Sequence, residues 1–213
     1  MSRINYDRDI QFMALHEPNS VSDQQLKKIA ELIYQTDEYI YPAMFGCLDN
    51  AVKLIPAIFR DGRDYMFSFD NMYVASIGES IVAVLLARVG KMAWSGEILR
   101  EIAASLKIEV PDTLVSVQKE YLDERYVEES TDDTISIINV CTDSAYRGHG
   151  IAKRLLRHFI DENRDAKMEL CVIKGNDSAV NLYRGLGFKE TREYLGYSAT
   201  SEKPCCLEMK RNP

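Results

Sequence analysis

The stretch Tyr146-Arg147-Gly148-His149-Gly150-Ile151-Ala152 lies between two runs of different character. Before it, Ile135-Ser136-Ile137-Ile138-Asn139-Val140-Cys141 is mostly apolar and β-branched and reads as a buried strand. After it, Ile151, Leu155, Leu156, Phe159 and Ile160 repeat at helical spacing, which predicts an amphipathic helix to about residue 163. A strand, a glycine loop and a helix in that order make an anion site. The first N–H groups of a helix have no intrahelical partner, and the aligned peptide dipoles add positive charge there. Glycines remove the Cβ atoms that would keep a phosphate away from those groups. Arg147 adds a planar cationic fork suited to phosphate oxygens. Spaced glycines also occur at ordinary turns, so the loop alone leaves both readings open. The pattern is not G-x-G-x-x-G, with Arg147 before the first glycine and Lys153 after Ala152, nor is it the G-x-x-x-x-G-K-[ST] loop of nucleotide hydrolysis.

A second stretch, Asn176-Asp177-Ser178-Ala179-Val180-Asn181-Leu182-Tyr183-Arg184-Gly185-Leu186-Gly187-Phe188, follows at a distance that leaves room for one helix and one strand. Together the two stretches resemble the GNAT superfamily of acetyl-CoA-dependent N-acetyltransferases. Arg147, Gly150 and Ala152 match its pyrophosphate loop, [QR]-x-x-G-x-[GA]. Asn176, Ala179, Tyr183, Gly187 and Phe188 match its N-x-x-A-x-x-x-Y-x-x-x-G-F signature. The resemblance covers residues 135–209 well and the first half only in the order of its elements. It implies an α+β fold: a mixed, mostly antiparallel central sheet flanked by helices. Where a minimal member of that family has a short connection between the third and fourth strands, this chain carries a helical insertion of about 35 residues.

The rest of the chain fits one such domain over residues 1–213. Of 213 residues, 46% are hydrophobic and 28% charged, an ordinary globular composition with enough apolar material for a core. A net charge of −7 argues against a nucleic-acid partner, which would select a basic face. Five cysteines without a C-x-x-C pair read as reduced thiols. The polar start and the lack of a long apolar run predict no secretory signal, no membrane span and a cytoplasmic location. Residues 10–15 read as a first strand. Ser22 and Gln25 form a capping box for a helix with Leu26, Ile29, Ala30 and Ile33 on one face. A second helix is expected over residues 49–59, ended or kinked by Pro56. Residues 72–77 and 81–87 read as strands joined at Gly78-Glu79-Ser80. Between 95 and 130 the chain turns helical again, with Ile98, Ile102 and Leu106 on one face of one helix and a second helix over 113–123. This insertion would serve as a packing or dimerisation appendage, or as a lid over the acceptor; homodimerisation is left open. A strand over 168–173, the helix after Asn176 and a hairpin of 188–197 with 205–210 complete the sheet.

The resemblance implies roles for single residues. Residues 147–152, that is Arg147, Gly148, His149, Gly150, Ile151 and Ala152, would hold the pyrophosphate of the co-substrate acetyl-CoA, largely through backbone N–H groups. His149 reads as a spacer. The main chain of Val140 and Thr142 would pair with the pantetheine amides like an added strand, and an N–H near Val140 would polarise the thioester oxygen. Asn176 and Ala179 belong to the coenzyme side, although Asn176 would equally serve as a helix cap. Tyr183 is the candidate general acid for the departing thiolate. For the general base, Glu79, Glu128, Glu129 and Asp143 are within range and none stands out, which points to deprotonation through water. No His, Cys or carboxylate cluster has metal-site spacing, so no metal is expected. Cys141 lacks a basic partner and reads as a buried strand cysteine.

The acceptor would be a small-molecule or peptide amine. Asp37, Glu38, Tyr39 and Tyr41 stand where the family places its acceptor loop, and carboxylates with tyrosines suit a cation. The acidic residues of 123–133 could add to this or form a solvated face. Two other readings are a non-catalytic acyl-CoA-binding regulatory module on the same fold and a doubly wound dinucleotide binder. The terminal hairpin argues against the second.

Overall fold

The computed structural model describes residues 5–6, 9–17, 20–63, 67, 69, 72–90, 96–113, 133–195 and 205–213. The chain runs β1 (Ile10–Leu15), α1 (Asp23–Tyr34), α2 (Ile40–Phe45), α3 (Leu48–Asp61), β2 (Met72–Ile77), β3 (Ser80–Val89) and α4 (Gly96–Ser105). It continues through β4 (Thr134–Thr142), α5 (Ile151–Glu162), β5 (Lys167–Ile173), α6 (Asp177–Arg184), β6 (Lys189–Leu195) and β7 (Cys205–Arg211). Among the described residues, seven strands form one sheet in the order β1-β2-β3-β4-β5-β7-β6. Only β4 and β5 run parallel; every other neighbouring pair is antiparallel.

The two faces of this sheet carry separate cores. Leu26, Ile29 and Ile33 of α1, Phe45 of α2, Leu54 and Ile55 of α3 and Leu99 and Ile102 of α4 pack together on one face. Leu155, Leu156 and Phe159 of α5 pack with Val180 and Tyr183 of α6 on the other. The central strand β3, buried on both faces by these layers, is apolar almost throughout, from Ile81 to Ala87.

Most of the expected elements form, and the departures have physical causes. The capping box closes as the sequence predicts: the Gln25 N–H donates to Ser22 Oγ (3.2 Å) and the Ser22 N–H to Gln25 Oε1 (2.8 Å). Pro56 does not end its helix, since α3 runs on to Asp61 and stops at Gly62 in the left-handed region. A proline inside a helix costs about 3 kcal/mol. Against this, Leu54, Ile55, Ile58 and Phe59 are all buried, and each such side chain contributes about 1.5–3 kcal/mol. The short helix α2 was not expected from a segment containing Pro42. Its start is held by Asp37, whose Oδ1 accepts from the N–H groups of Tyr39 (2.8 Å) and Ile40 (2.7 Å), and Pro42 lies in the first turn, where a missing N–H costs little. In the region between β3 and β4, Leu99, Ile102 and Ala103 of α4 are buried with Ile98 packed beside them, but Leu106 falls beyond the helix end and is exposed. Ser95 and residues 114–130, with the second helix expected there, lie outside the described residues.

One irregularity bears directly on function. Leu86 of β3 faces Asn139 while the next residue, Ala87, faces Ile137, so Ile138 is an extra residue on β4. Such a bulge bends its strand and strengthens the local twist. It also turns side chains: Ile137 packs on the α5 face, whereas Ile138 packs on the α1 face together with Cys141.

Candidate functional site

The bulge stands where β4 parts from β5. The two strands pair only from Thr134–Lys167 to Ile137–Leu170, and then each runs on, β4 to Thr142 and β5 to Ile173, without pairing to the other. The hydrogen-bonding edge of β4 can be followed along this gap. The Asp143 N–H donates to the Val82 carbonyl (2.9 Å). Because residues of an antiparallel pair alternate between bonded and non-bonded positions, Cys141 and Asp143 direct their main chain to β3, while Val140 and Thr142 direct theirs into the gap. Val140 packs against the α5–α6 core, and the Thr142 hydroxyl is buried with no hydrogen-bond partner.

At the head of the gap, a turn of 3-10 helix over Ser144–Tyr146 is capped by Asp143, whose Oδ1 accepts from the Ala145 N–H (2.8 Å). The glycines follow. Gly148 and Gly150 have φ of 81° and 70°, and a Cβ added at either would meet nothing within 4 Å. The loop therefore turns an open, side-chain-free surface outward just where α5 begins, and Gly150, as the N-cap, supplies no side-chain acceptor to the first turn. The N–H groups of Ile151, Ala152 and Lys153 lack intrahelical acceptors by helix geometry, and the helix dipole favours an anion in front of them. These features fit a pyrophosphate. Arg147 is less simply placed than its charge suggests: its Nε donates back to the Thr142 carbonyl (3.0 Å), bracing the loop against the end of β4 while the residue stays exposed.

Tyr183 sits in the last turn of α6, in the same core as Val140, with its ring edge-on to Phe188 at 5.9 Å between centroids. It is 9% exposed, and burial pushes its hydroxyl up to about 12. Asn176 caps α6 by accepting from the Ala179 N–H (3.2 Å), so one carbonyl oxygen serves the helix whatever else its amide does. Gly187 (φ 91°) and the buried Phe188 serve the turn and the core.

On the opposite face, the residues expected to greet an amine are largely committed to structure. Asp37 caps α2, and Tyr41 is buried, its hydroxyl raised well above the ordinary tyrosine range by desolvation. Glu38 is exposed and Tyr39 half-buried. Tyr41 belongs to a polar group that was not foreseen. Asn139, 3% exposed on the bulged strand, donates through Nδ2 to both Thr36 Oγ1 (2.5 Å) and Tyr41 Oη (2.7 Å), and its Oδ1 is buried without a hydrogen-bond partner. The signal was present as the lone amide in an apolar strand run.

Among the candidate bases, Asp143 bonds Lys28 as well as the Ala145 N–H, and the Lys28 hydrogen bond holds its carboxyl below the usual aspartate range. Glu79 lies in the β2–β3 turn, where its carbonyl accepts from Gln25 Nε2 (2.9 Å). Both border a cleft of about 720 Å³ that also takes in Lys27, Lys28 and Tyr146. Glu128 and Glu129 lie outside the described residues. Cys141 is buried, and desolvation raises its thiol above the ordinary cysteine value, opposed by the nearby Arg147. No helix of the described residues is long and apolar enough to cross a membrane, and among them no three His, Cys, Asp or Glu side chains converge as metal ligands would.

Comparison with known proteins agrees with this geometry. Residues 121–188 match the Acetyltransferase (GNAT) family. The N-alpha-acetyltransferase RimI of Mycobacterium tuberculosis is 47% identical over 47 residues, 22% of this chain and 30% of its own. The [Ribosomal protein bS18]-alanine N-acetyltransferase of Escherichia coli K12 is 33% identical over 73 residues, 33% of this chain and 49% of its own. The chain thus spans at most about half the length of these curated relatives. In three dimensions, an N-acetyltransferase from Staphylococcus aureus Mu50 superposes with a TM-score of 0.64 at 20% identity, covering 94% of this chain and 99% of that one. With the glycine loop, the parted strands and the Tyr183 helix in the order that family requires, residues 121–188 are similar to the GNAT acetyltransferases, and the chain as a whole shares the fold of the superposed N-acetyltransferase.

Proposed function

We propose that the protein is an N-acetyltransferase that moves the acetyl group of acetyl-CoA to a primary amine by direct attack in a ternary complex. The observation that carries this reading is the gap between β4 and β5, headed by the glycine loop and flanked by Tyr183. A donor held by its pyrophosphate at the N-terminus of α5 has its pantetheine arm directed down the gap, where the main chain of Val140 and Thr142 offers strand-like hydrogen bonds. The thioester then lies near the bulge, and the Val140 N–H donates to the carbonyl oxygen as charge develops there. The amine nitrogen attacks the carbonyl carbon, the C–N bond forms and the C–S bond breaks. The amine's proton passes to water, and the departing sulfur takes a hydrogen bond from Tyr183. Water suits the proton acceptor's role because Asp143 and Asp37 are already engaged. Since the relatives are named for acetylating α-amino groups of proteins, a peptide N-terminus is the first acceptor to test, ahead of small amines.

The test is a thermal melt with acetyl-CoA, CoA and NAD in parallel, for wild type and Arg147→Glu, followed by thiol-release assays on a panel of peptides and small amines. At a hundredfold excess over Kd, a bound ligand adds about 2.7 kcal/mol, or roughly 5–10 °C for a chain of this size. A shift with both coenzyme forms and not with NAD, reduced in Arg147→Glu, supports the donor site. Thiol release with an amine supports the transferase. Absence of any coenzyme shift overturns the reading, and binding without turnover on any amine would leave a coenzyme-binding module instead.

A further inference from the structure

His149 was expected to be a spacer, and its surroundings say otherwise. Its imidazole stacks on the ring of Tyr6, with centroids 3.9 Å apart and planes 10° from parallel. Tyr6 comes from the far N-terminal part of the chain, which is fastened beside the glycine loop at several points. Arg154, in the first turn of α5, donates from Nη1 to the Tyr6 carbonyl, and its guanidinium lies 5.3 Å from the centre of the Phe12 ring of β1. On either side of it Asn5 and Asp9 bond to each other, the Asn5 N–H donating to Asp9 Oδ2 (2.7 Å) and the Asp9 N–H to the Asn5 carbonyl (2.8 Å). The result is a pair of flat rings held at the crown of the loop. One face of the imidazole is covered by Tyr6 and the residue remains exposed, so its other face is left to solvent. Gly148 and Gly150 on either side carry no side chain to cover that face, and a Cβ added at either would meet nothing within 4 Å.

We propose that His149, backed by Tyr6, is the platform on which the adenine of the acyl donor stacks. This rests on the acetyl-CoA reading above. In that donor the pantetheine arm leaves the pyrophosphate towards the gap, and the only other substituent of the pyrophosphate is adenosine 3′-phosphate. The nucleoside must therefore leave the loop on its outer side, and its base is the one large flat ring in the molecule. A purine offers an aromatic ring a broad, weakly hydrated face, and stacking of this kind is insensitive to the hydrogen-bonding edge of the base. Tyr6 has the part of a positioning residue: it fixes the plane of the imidazole so that the ring is ready before the ligand arrives.

The experiment compares dissociation constants for CoA and for 4′-phosphopantetheine, which has the same arm and no adenosine, in wild type, Tyr6→Ala, Tyr6→Trp, His149→Ala and His149→Tyr. The expected result is a loss of about ten- to thirtyfold in CoA affinity for His149→Ala and a smaller loss for Tyr6→Ala. Phosphopantetheine binding stays unchanged, and Tyr6→Trp and His149→Tyr, which keep flat rings, retain wild-type CoA affinity. Equal losses for both ligands would mean that the rings only hold the loop in shape. Unchanged CoA affinity in both alanine variants would mean that the base does not touch them. Either result overturns the proposal. Failure of wild type to bind CoA at all would instead overturn the acetyl-CoA reading on which it rests.

Discussion

Tyr183→Phe tests the division of labour in the site, because the structure sets both its expected size and its expected form. The substitution removes one oxygen and leaves the ring against Phe188 in its edge-on contact, so the fold is expected to lose little stability. The hydroxyl is held at about 12 by burial, while the coenzyme thiol ionises at ~8.5. Full proton transfer from this phenol to the departing thiolate is then uphill by about 3.5 pK units, or about 5 kcal/mol at 1.36 kcal/mol per unit. On the proposed function, a donor so mismatched would stabilise the sulfur by hydrogen bonding and leave final protonation to solvent. A hydrogen bond to a charged group contributes about 1.5–3 kcal/mol, which sets the expected loss in kcat at roughly 10- to 150-fold. KM for acetyl-CoA should change little, since the interaction is made in the transition state. The assay is steady-state thiol release from pH 6 to 10, with circular dichroism on the same samples. The expected profile keeps the same shape in both proteins, displaced downward in the variant. A loss beyond a thousandfold, joined by an alkaline limb present only in wild type, would refute the reasoning and make Tyr183 a true proton donor. A loss under twofold would show that the hydroxyl does not reach the sulfur.

Three other perturbations follow from the same geometry. Gly150→Val places a branched side chain at φ 70° on the surface proposed to face the phosphates; roughly 1–2 kcal/mol of backbone strain is expected, together with loss of coenzyme-induced thermal stabilisation, read in one melting series with and without CoA. Tyr41→Phe removes an acceptor from the buried Asn139 amide and should cost about 1–3 kcal/mol in urea unfolding; a cost below a few tenths would mean the amide finds another partner. Asp143 has a carboxyl lowered by Lys28 and the Ala145 N–H. Its folded-state value lies below the unfolded one, so its contribution is present above the ordinary aspartate range and lost as pH falls through the folded value. The stability gap between wild type and Asp143→Asn should accordingly be widest near neutrality and close in acid, as measured by denaturant midpoints at several pH values.

The parts of the fold that could be read directly were those whose information is local. Residues 135–141 and 81–87 announce strands because a strand buried on both faces needs apolar residues nearly throughout. Ser22 and Gln25 announce a helix because the capping box is closed by residues three apart. The glycine loop and the Asn176–Phe188 signature are equally local, and they carry the family resemblance that the match over residues 121–188 agrees with. What escaped depends on distant partners or on register. Asn139 bonds Thr36 and Tyr41 across 103 and 98 residues, and nothing near residue 139 names either partner. The extra residue at Ile138 leaves the run just as apolar as before, and only pairing with Leu86 and Ala87 reveals it. Helix α2 escaped because Pro42 argues against a helix locally, while the Asp37 cap and the burial of Met44 and Phe45 argue for one through tertiary contacts.

On the proposed function, the bulge would let donor and acceptor approach from opposite sides of one strand. In a regular strand the side chains of Ile138 and Asn139 would point to opposite faces. With Ile138 as the extra residue, the Asn139 side chain reaches Thr36 and Tyr41 beneath α1 and α2, while the next residue, Val140, packs on the α5–α6 face with Tyr183. The same irregularity falls just past Ile137, the last residue of β4 that pairs with β5. Loss of pairing leaves the main chain of Val140 and the N–H of Thr142 without a strand to bond, while the Thr142 carbonyl accepts from Arg147 Nε; unbonded groups of this kind are costly in a buried sheet. A pantetheine arm carries amides, so on the proposed function a donor bound in the gap would also complete the sheet. On this argument the affinity for the donor and the stability of the far half of β4 are coupled. Hydrogen exchange at Val140 and Thr142 should slow on coenzyme binding by more than exchange at Ile135 and Ile137, whose strand is already paired to β5. Equal slowing at all four positions would mean that the coenzyme stabilises the domain globally and does not act as the missing strand.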